Sequence, residues 1–239
     1  MSAIFNAVIH EPLYNAIVAI LHLIPGANLA AAVVILTILV RSALFPISKS
    51  ALISQIKMKE IQPELDAIRA KNKDDQQKMA IETMEVYRKN KINPFASLGM
   101  ILIQIPIFIG LYSIFSASFD AVDPNALYSF VPNLTVAVDP FVWGIDLRGK
   151  SLLLAGIAAV AQHFAGRFLL SSIKTPQAEG FQADFSKAMR SMSLYFMPVL
   201  TFVFSAAVTA ALPLYWIVGS LFTIAQELYL RRLRASSAA

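Results

Sequence analysis

The sequence predicts an all-α polytopic membrane protein, with five transmembrane helices, an N-terminal interfacial helix and a cytoplasmic helical hairpin. Three observations predict it. Of 239 residues, 57% are hydrophobic and 15% charged, and the mean hydropathy of +0.62 lies outside the range of soluble domains of this size. Apolar runs long enough to cross about 30 Å of hydrocarbon recur along the chain. The basic residues fall in alternate loops. The chain has no cysteine, which excludes disulfides, thiolate metal sites and cysteine nucleophiles. The excess of 20 Lys+Arg over 15 Asp+Glu reports loop orientation in such a protein before it reports nucleic acid. No nucleic-acid function and no cofactor are expected.

Residues 1–28 come first. SAIFNAVIHEPLYNAIVAILHLI is apolar, but Glu11-Pro12 interrupts it and the remainder, Leu13 to Ile24, is too short to span. It reads as an amphipathic helix in the interface, with a sixth span or an uncleaved signal-like segment as alternatives. The lack of Lys or Arg ahead of the apolar stretch argues against a signal.

The first transmembrane helix covers 29–48 and contains VVILTILVRSALFPISK. Residues 49–94 form the cytoplasmic hairpin: Ile61, Leu65 and Ile68 recur at helical spacing, as do Met79, Met84 and Tyr87 after a break at Lys71–Lys73. Asp74 and Asp75 offer an N-cap for the second arm. Its mixed charges suit a solvated surface or a docking face for a partner or lipid headgroups. The second span is 95–117, followed by an extracytoplasmic loop at 118–150. The third span is 151–173 and a cytoplasmic loop occupies 174–191. Residues 192–230 hold spans four and five, joined at Leu212-Pro213, where Pro213 suits the first turn of a new helix. A cytoplasmic tail, 231–239, completes the chain.

Charge orients these elements. Lys49 through Lys91 carries ten basic residues, the 174–191 loop carries Lys174, Lys187 and Arg190, and the tail carries Arg231, Arg232 and Arg234. The 118–150 loop has only Arg148 and Lys150, against Asp120, Asp123, Asp139 and Asp146. The positive-inside rule places the N-terminus outside and the C-terminus in the cytoplasm.

Arg41 is the anomaly in this pattern. Eight residues at about 1.5 Å each set its Cα about 12 Å inside the Lys49 end of the span. An unpaired arginine near the midplane costs about 3 kcal/mol on insertion scales, so such residues face the bundle interior or water. An ion pair is one solution. The only acidic residue in another span is Glu227, expected near the cytoplasmic end with water at hand. A polar, water-accessible cavity is therefore favoured. Gln104, Gln162, His163, Ser220, Thr223 and Gln226 are polar groups on other spans that can line it, although each alone reads as an interhelical hydrogen bond. The histidines His10, His22 and His163 are too scattered for a metal site.

NPFASLGMILIQIPIFIGLYSIF resembles the second span of the YidC/Oxa-type membrane protein insertases: Asn-Pro, then Gln-x-Pro-Ile-Phe, then Leu-Tyr. The segment KMKEIQPELDAIRAKNKDDQQKMAIETMEVYRKNKINP, residues 57–94, is similar to that family's cytoplasmic hairpin, and FMPVLTFVF with LYWIVGSLFTIAQELYL resembles its last two spans. The usual Phe-Pro-x-Gly-Leu turn between those spans is replaced by AVTAALPL. The overall pattern is that of a compact bacterial form.

The resemblance implies five helices around a hydrophilic groove open to the cytoplasm and to lipid. Arg41, Gln104, Gln162, Trp216, Ser220 and Thr223 would line it. It implies an insertase and chaperone of the bacterial cell membrane, not an enzyme. Nascent membrane proteins would be its substrates, the lipid bilayer its medium, and the ribosome and the Sec translocon its candidate partners. A groove of half depth shortens the dry path for a polar tail, and a fixed positive charge attracts acidic residues in it. A small transporter or channel using Arg41 as an anion ligand is the rival; it would show internal repeats or broken helices at midplane.

Overall fold

The computed structural model describes residues 3–24, 26–73, 75–93, 96–117, 123–134, 137–171 and 190–237. The chain divides into two compact units, Met1–Ala43 with Ile105–Leu169 and Ser191–Ala239, and Leu44–Gln104 with Leu170–Arg190.

In the first unit, α1 runs Ala3–Leu23 without a gap. The expected interruption at Glu11-Pro12 does not occur. Residues Asn6–His10 take the wider π turn, and Pro12 falls in the first turn of the α segment that follows, where its missing N–H leaves no bond unmade. The helix is long and apolar enough to cross a membrane. Its buried side, Leu13, Ile17, Val18, Ile20 and Leu21, packs on α2, Leu29–Ala43. Ile9 and Leu13 also close on Gly110, where a Cβ would lie 3.1 and 3.2 Å from them.

The first span was expected to run unbroken over 29–48. Instead α2 ends at Ala43 and a separate helix, α3, begins at Phe45 and runs to Glu60. Pro46 sits in its first turn; proline cannot donate to the preceding turn and disfavours a helical residue before it, which accounts for the break at Leu44. Arg41 thus lies in the last turn of α2, not deep within one straight helix.

The other apolar helices follow the expected order: α6, Ala96–Ser116, α7, Leu152–Ser171, α8, Met192–Ala207, and α9, Ala211–Ser237. Val208 is extended and links α8 to α9, and Pro213 falls in the first turn of α9 as expected. The helix continues through Arg231 to Ser237, where a tail had been expected. Among the described residues three helices are long and apolar enough to cross a membrane, or four if Leu29–Ala43 with Phe45–Ser54 makes one broken span. Most of the expected 174–191 loop, up to residue 189, lies outside the described residues.

The described part of the 118–150 loop carries an element that an all-helical expectation missed. Strands β1, Phe141–Val142, and β2, Ile145–Asp146, pair antiparallel across a two-residue turn. Trp143 (φ +48°) and Gly144 (φ +79°) are both left-handed, as a type I′ turn requires. For a bulky residue this costs about 1 kcal/mol or more. Arg148, donating from its side chain and its backbone N–H, holds the Asp146 carboxyl below the ordinary aspartate value.

The ribbon's base is tied to helix ends. Leu29 N donates to Asp139 O at 2.8 Å, Ala211 N to Leu147 O at 3.1 Å and Ala210 N to Gly149 O at 2.7 Å. Asn28 caps α2 by accepting from Ala31 N, and its amide donates to the Asp139 carboxylate and to Phe141 O. On α1, buried Asn15 accepts from Tyr128 N and donates to Ala126 O, while Tyr14 Oη accepts from Asp123 N. These bonds satisfy loop backbone groups that burial would otherwise leave unpaired.

In the second unit, α4, Gln62–Lys71, and α5, Gln76–Lys89, form the expected hairpin. Its core is Ile61, Leu65, Val86 and Ile92, with Met58, Ile68 and Tyr87 packed against it. Met84 had been assigned to the inner stripe but is exposed, and Val86 takes the inner position. Asp75 caps α5, accepting from Lys78 N at 2.9 Å; Asp74 lies outside the described residues.

At the hairpin tip Asn72 donates to Glu82 at 2.8 Å, and Lys71 lies 3.4 Å away. The amide first, then the lysine, hold the Glu82 carboxyl below its ordinary value. A depressed carboxylate stabilises the fold above its unfolded pKa, and that stability is lost as pH falls through the folded pKa. Hydrogen exchange of the α4–α5 amides, corrected for intrinsic rates, is expected to show protection falling on acidification. Asn72→Ala is expected to shift that fall to higher pH, and superimposable profiles would contradict the account.

Candidate functional site

One face of α9 gathers most of the predicted site. Trp216, Gly219, Ser220 and Thr223 fall at positions i, i+3, i+4 and i+7, so they share a side. Each meets a different partner. Trp216 stacks on Phe108 of α6 with ring centroids 5.3 Å apart and planes 17° from parallel. Ser220, 5% exposed, donates to Gln162 Oε1 of α7 at 3.2 Å. Thr223 donates back to Gly219 O at 2.9 Å, the usual way a helical threonine satisfies its hydroxyl.

Gly219 faces Arg41, from α2. A Cβ built on Gly219 would fall 2.8 Å from Nη2, 3.2 Å from Nε and 3.3 Å from Cζ. The guanidinium therefore lies flat against bare helix backbone, an approach only glycine permits. Beside it, Thr223 bonds the Gly219 carbonyl and Ser220 bonds Gln162 Oε1. Arg41 Nε is buried and has no hydrogen-bond partner among the described residues. A buried donor left in that state costs about 1–3 kcal/mol.

Five of the six predicted site residues, Arg41, Gln162, Trp216, Ser220 and Thr223, thus belong to one unit and converge on α9. Gln104 belongs to the other unit. Gly219 was not anticipated; its signal was the only glycine in the last apolar run, beside Ser220 and four residues from Thr223. His163 Nδ1 lies 2.7 Å from Leu194 O, a structural contact between α7 and α8.

Glu227, expected near the end of the last span with water at hand, is instead 1% exposed and pairs with Arg231 at 3.1 Å. Arg231 also donates to Phe168 O and lies 5.9 Å from the centroid of that ring. It closes α9 onto the end of α7.

Gly219→Ala tests the close approach. The added methyl meets the far end of a flexible side chain, so the guanidinium is expected to shift while the fold holds. Thermal stability in detergent is expected to stay within about 1 kcal/mol of wild type, while whatever function Arg41 serves falls. A large stability loss with function intact would contradict this.

Comparison with known proteins follows from this geometry. The profile of the family described as 60Kd inner membrane protein matches residues 20–237. A protein of Anaeromyxobacter sp. named membrane protein insertase YidC is 33% identical over 208 residues, 86% of this chain and 33% of its own length. One of the same name from Clostridium tetani is 28% identical over 215 residues, 90% of this chain and 87% of its own length. Another, from Janthinobacterium sp., is 31% identical over 220 residues, 92% of this chain and 36% of its own. The chain thus spans about a third of the first and third relatives and most of the second.

Proposed function

We propose, since the chain belongs to the 60Kd inner membrane protein family, that it is a membrane protein insertase. Its substrates are nascent membrane proteins with short hydrophilic tails. The tail enters a half-depth groove lined by Arg41, Gln162, Trp216, Ser220 and Thr223, crosses the remaining hydrocarbon, and the apolar segment passes into lipid. The observation that carries this reading is the buried Arg41 Nε, laid against Gly219 and without a hydrogen-bond partner among the described residues. Such a donor attracts acidic tail residues more strongly than the same charge in bulk water, and no covalent step is needed once burial of the apolar segment drives release.

The orientation belongs to the same proposal: N-terminus outside, C-terminus and hairpin in the cytoplasm, α1 in the outer interface. What supports the place of α1 is Asn15, in the middle of the helix, bonding the backbone of Ala126 and Tyr128. Those are loop residues, so mid-helix sits at loop level. The ribosome and the Sec translocon are proposed partners. Cysteines placed singly at Lys71 and Asn133 are expected to react with an impermeant thiol reagent in intact cells only at the second; labelling of the first alone would overturn the orientation.

The function itself is tested by reconstituting the purified chain in liposomes with a single-span, short-tailed substrate and scoring protease protection. Protection above that of empty liposomes is expected. Anion flux without insertion would favour the transporter or channel.

A further inference from the structure

Trp143 is out of place by every intramolecular measure. It is 87% exposed, it occupies a left-handed position that favours asparagine or glycine, and β1 and β2 are too short to need its bulk. Phe141 beside it is half exposed. A strained, exposed tryptophan with no packing role calls for a partner outside the chain.

The ribbon's attachments limit what that partner is. Its base is bonded to Leu29, the first residue of α2, and through Leu147 to Ala211, the first residue of α9. From Asp146 only five residues lead to Leu152, where α7 begins, and Leu152 and Leu153 are themselves exposed apolar side chains. The ribbon therefore sits level with the ends of three apolar helices. Two residues of strand reach about 7 Å, and the headgroup layer is about 5–8 Å thick on each side of the hydrocarbon. The tip therefore lies within about one headgroup-layer thickness of those helix ends.

We propose that the Phe141–Asp146 ribbon is an interfacial anchor, with Trp143 seated among lipid headgroups at the end of the bundle where α2, α7 and α9 begin. Tryptophan suits that depth because its ring is apolar and its indole N–H still finds an acceptor. Lys150, exposed and four residues past the ribbon, favours an anionic lipid surface. The inference rests on the chain being embedded in a bilayer and not on insertion activity, so it can fail while that activity stands.

The chain has two tryptophans, which makes the test direct. In Trp216→Phe, chosen to keep a ring against Phe108, Trp143 is the sole emitter. The protein is placed in vesicles of phosphatidylcholine with phosphatidylglycerol, with and without lipids brominated at graded acyl depths. A blue-shifted emission relative to the denatured chain, with the strongest quenching from bromines nearest the headgroups, is expected. Trp143→Asn in the wild-type background, which suits the turn, provides a second reading: the headgroup-bromine quenching is expected to be lost from the variant's emission and to appear in the wild-type-minus-variant difference, while the protein stays folded. Emission at the fully hydrated wavelength, insensitive to bromine and open to iodide, would overturn the proposal and leave the tip to an aqueous partner. Quenching strongest at mid-chain bromines would also overturn it, by placing the residue in the hydrocarbon.

Discussion

Arg231→Met is expected to destabilise the protein by about 2–3 kcal/mol, the cost of leaving a buried charged group without its hydrogen-bond partner when that partner, Arg231, is itself a third exposed. The Glu227 carboxylate is 1% exposed, and Arg231 neutralises it from one helical turn away at 3.1 Å. Without the guanidinium, the carboxylate must stay charged in a poorly solvating site or take up a proton, and either costs free energy. Arg231 also gives up its bond to Phe168 O and its place over that ring, so the end of α9 loses its hold on α7. For a chain of this length the change corresponds to a midpoint lower by several degrees, read as thermal unfolding in detergent. The double variant Arg231→Met/Glu227→Leu is expected to recover most of the loss, because well-packed apolar residues replace buried pairs at little cost. An unchanged midpoint in the single variant would contradict the pair's role.

The second large effect is functional. Arg41→Ala is expected to lower insertion of substrates with one or two acidic residues in the tail by roughly thirtyfold, equivalent to about 2 kcal/mol for a charge-assisted hydrogen bond. Arg41→Lys is expected to retain part of the activity, since it keeps the charge and loses the planar fork of donors that lies on Gly219. Neutralised tails are expected to suffer less from either change. Insertion would be compared for paired acidic and neutral tails at matched levels of folded protein. Equal losses for both tails would leave Arg41 a hydrating or structural residue.

Much of this site was legible because its residues break a pattern. An arginine in an apolar run, a glutamine at Gln162 and hydroxyls at Ser220 and Thr223 are costly in hydrocarbon, and such residues converge where they share the cost. Gly219 was not legible: a glycine in an apolar helix looks neutral until the structure shows what lies on it. The same limit applies to Glu227. Proximity to Arg231 and the chain's basic end suggested water, whereas the four-residue spacing lets the arginine cover the carboxylate instead.

The fold divides in the same way. Helix order, the hairpin, the Asp75 cap and Pro213 at the start of α9 follow from periodicity and local steric rules. The break at Leu44 was signalled by Pro46, but hydropathy runs through it unchanged. Val86 displaced Met84 because Met79, Met84 and Tyr87 are spaced five and three apart, a drifting stripe that does not fix one face. The β-ribbon escaped because Trp-Gly is not the turn sequence that announces a type I′ hairpin.

The central claim is that water reaches the depth of Arg41 from the cytoplasmic side, and one residue reports it. The chain has no cysteine, so Gln162→Cys introduces a single thiol beside Ser220. Val160→Cys, on the same helix and at an exposed apolar position, serves as the lipid-facing control. In inside-out membrane vesicles, a small water-soluble thiol reagent is expected to modify the cysteine at 162 and spare the one at 160. Failure to modify 162, with the protein folded and the thiol reactive after denaturation, would contradict a hydrated groove and favour a dry, hydrogen-bonded core.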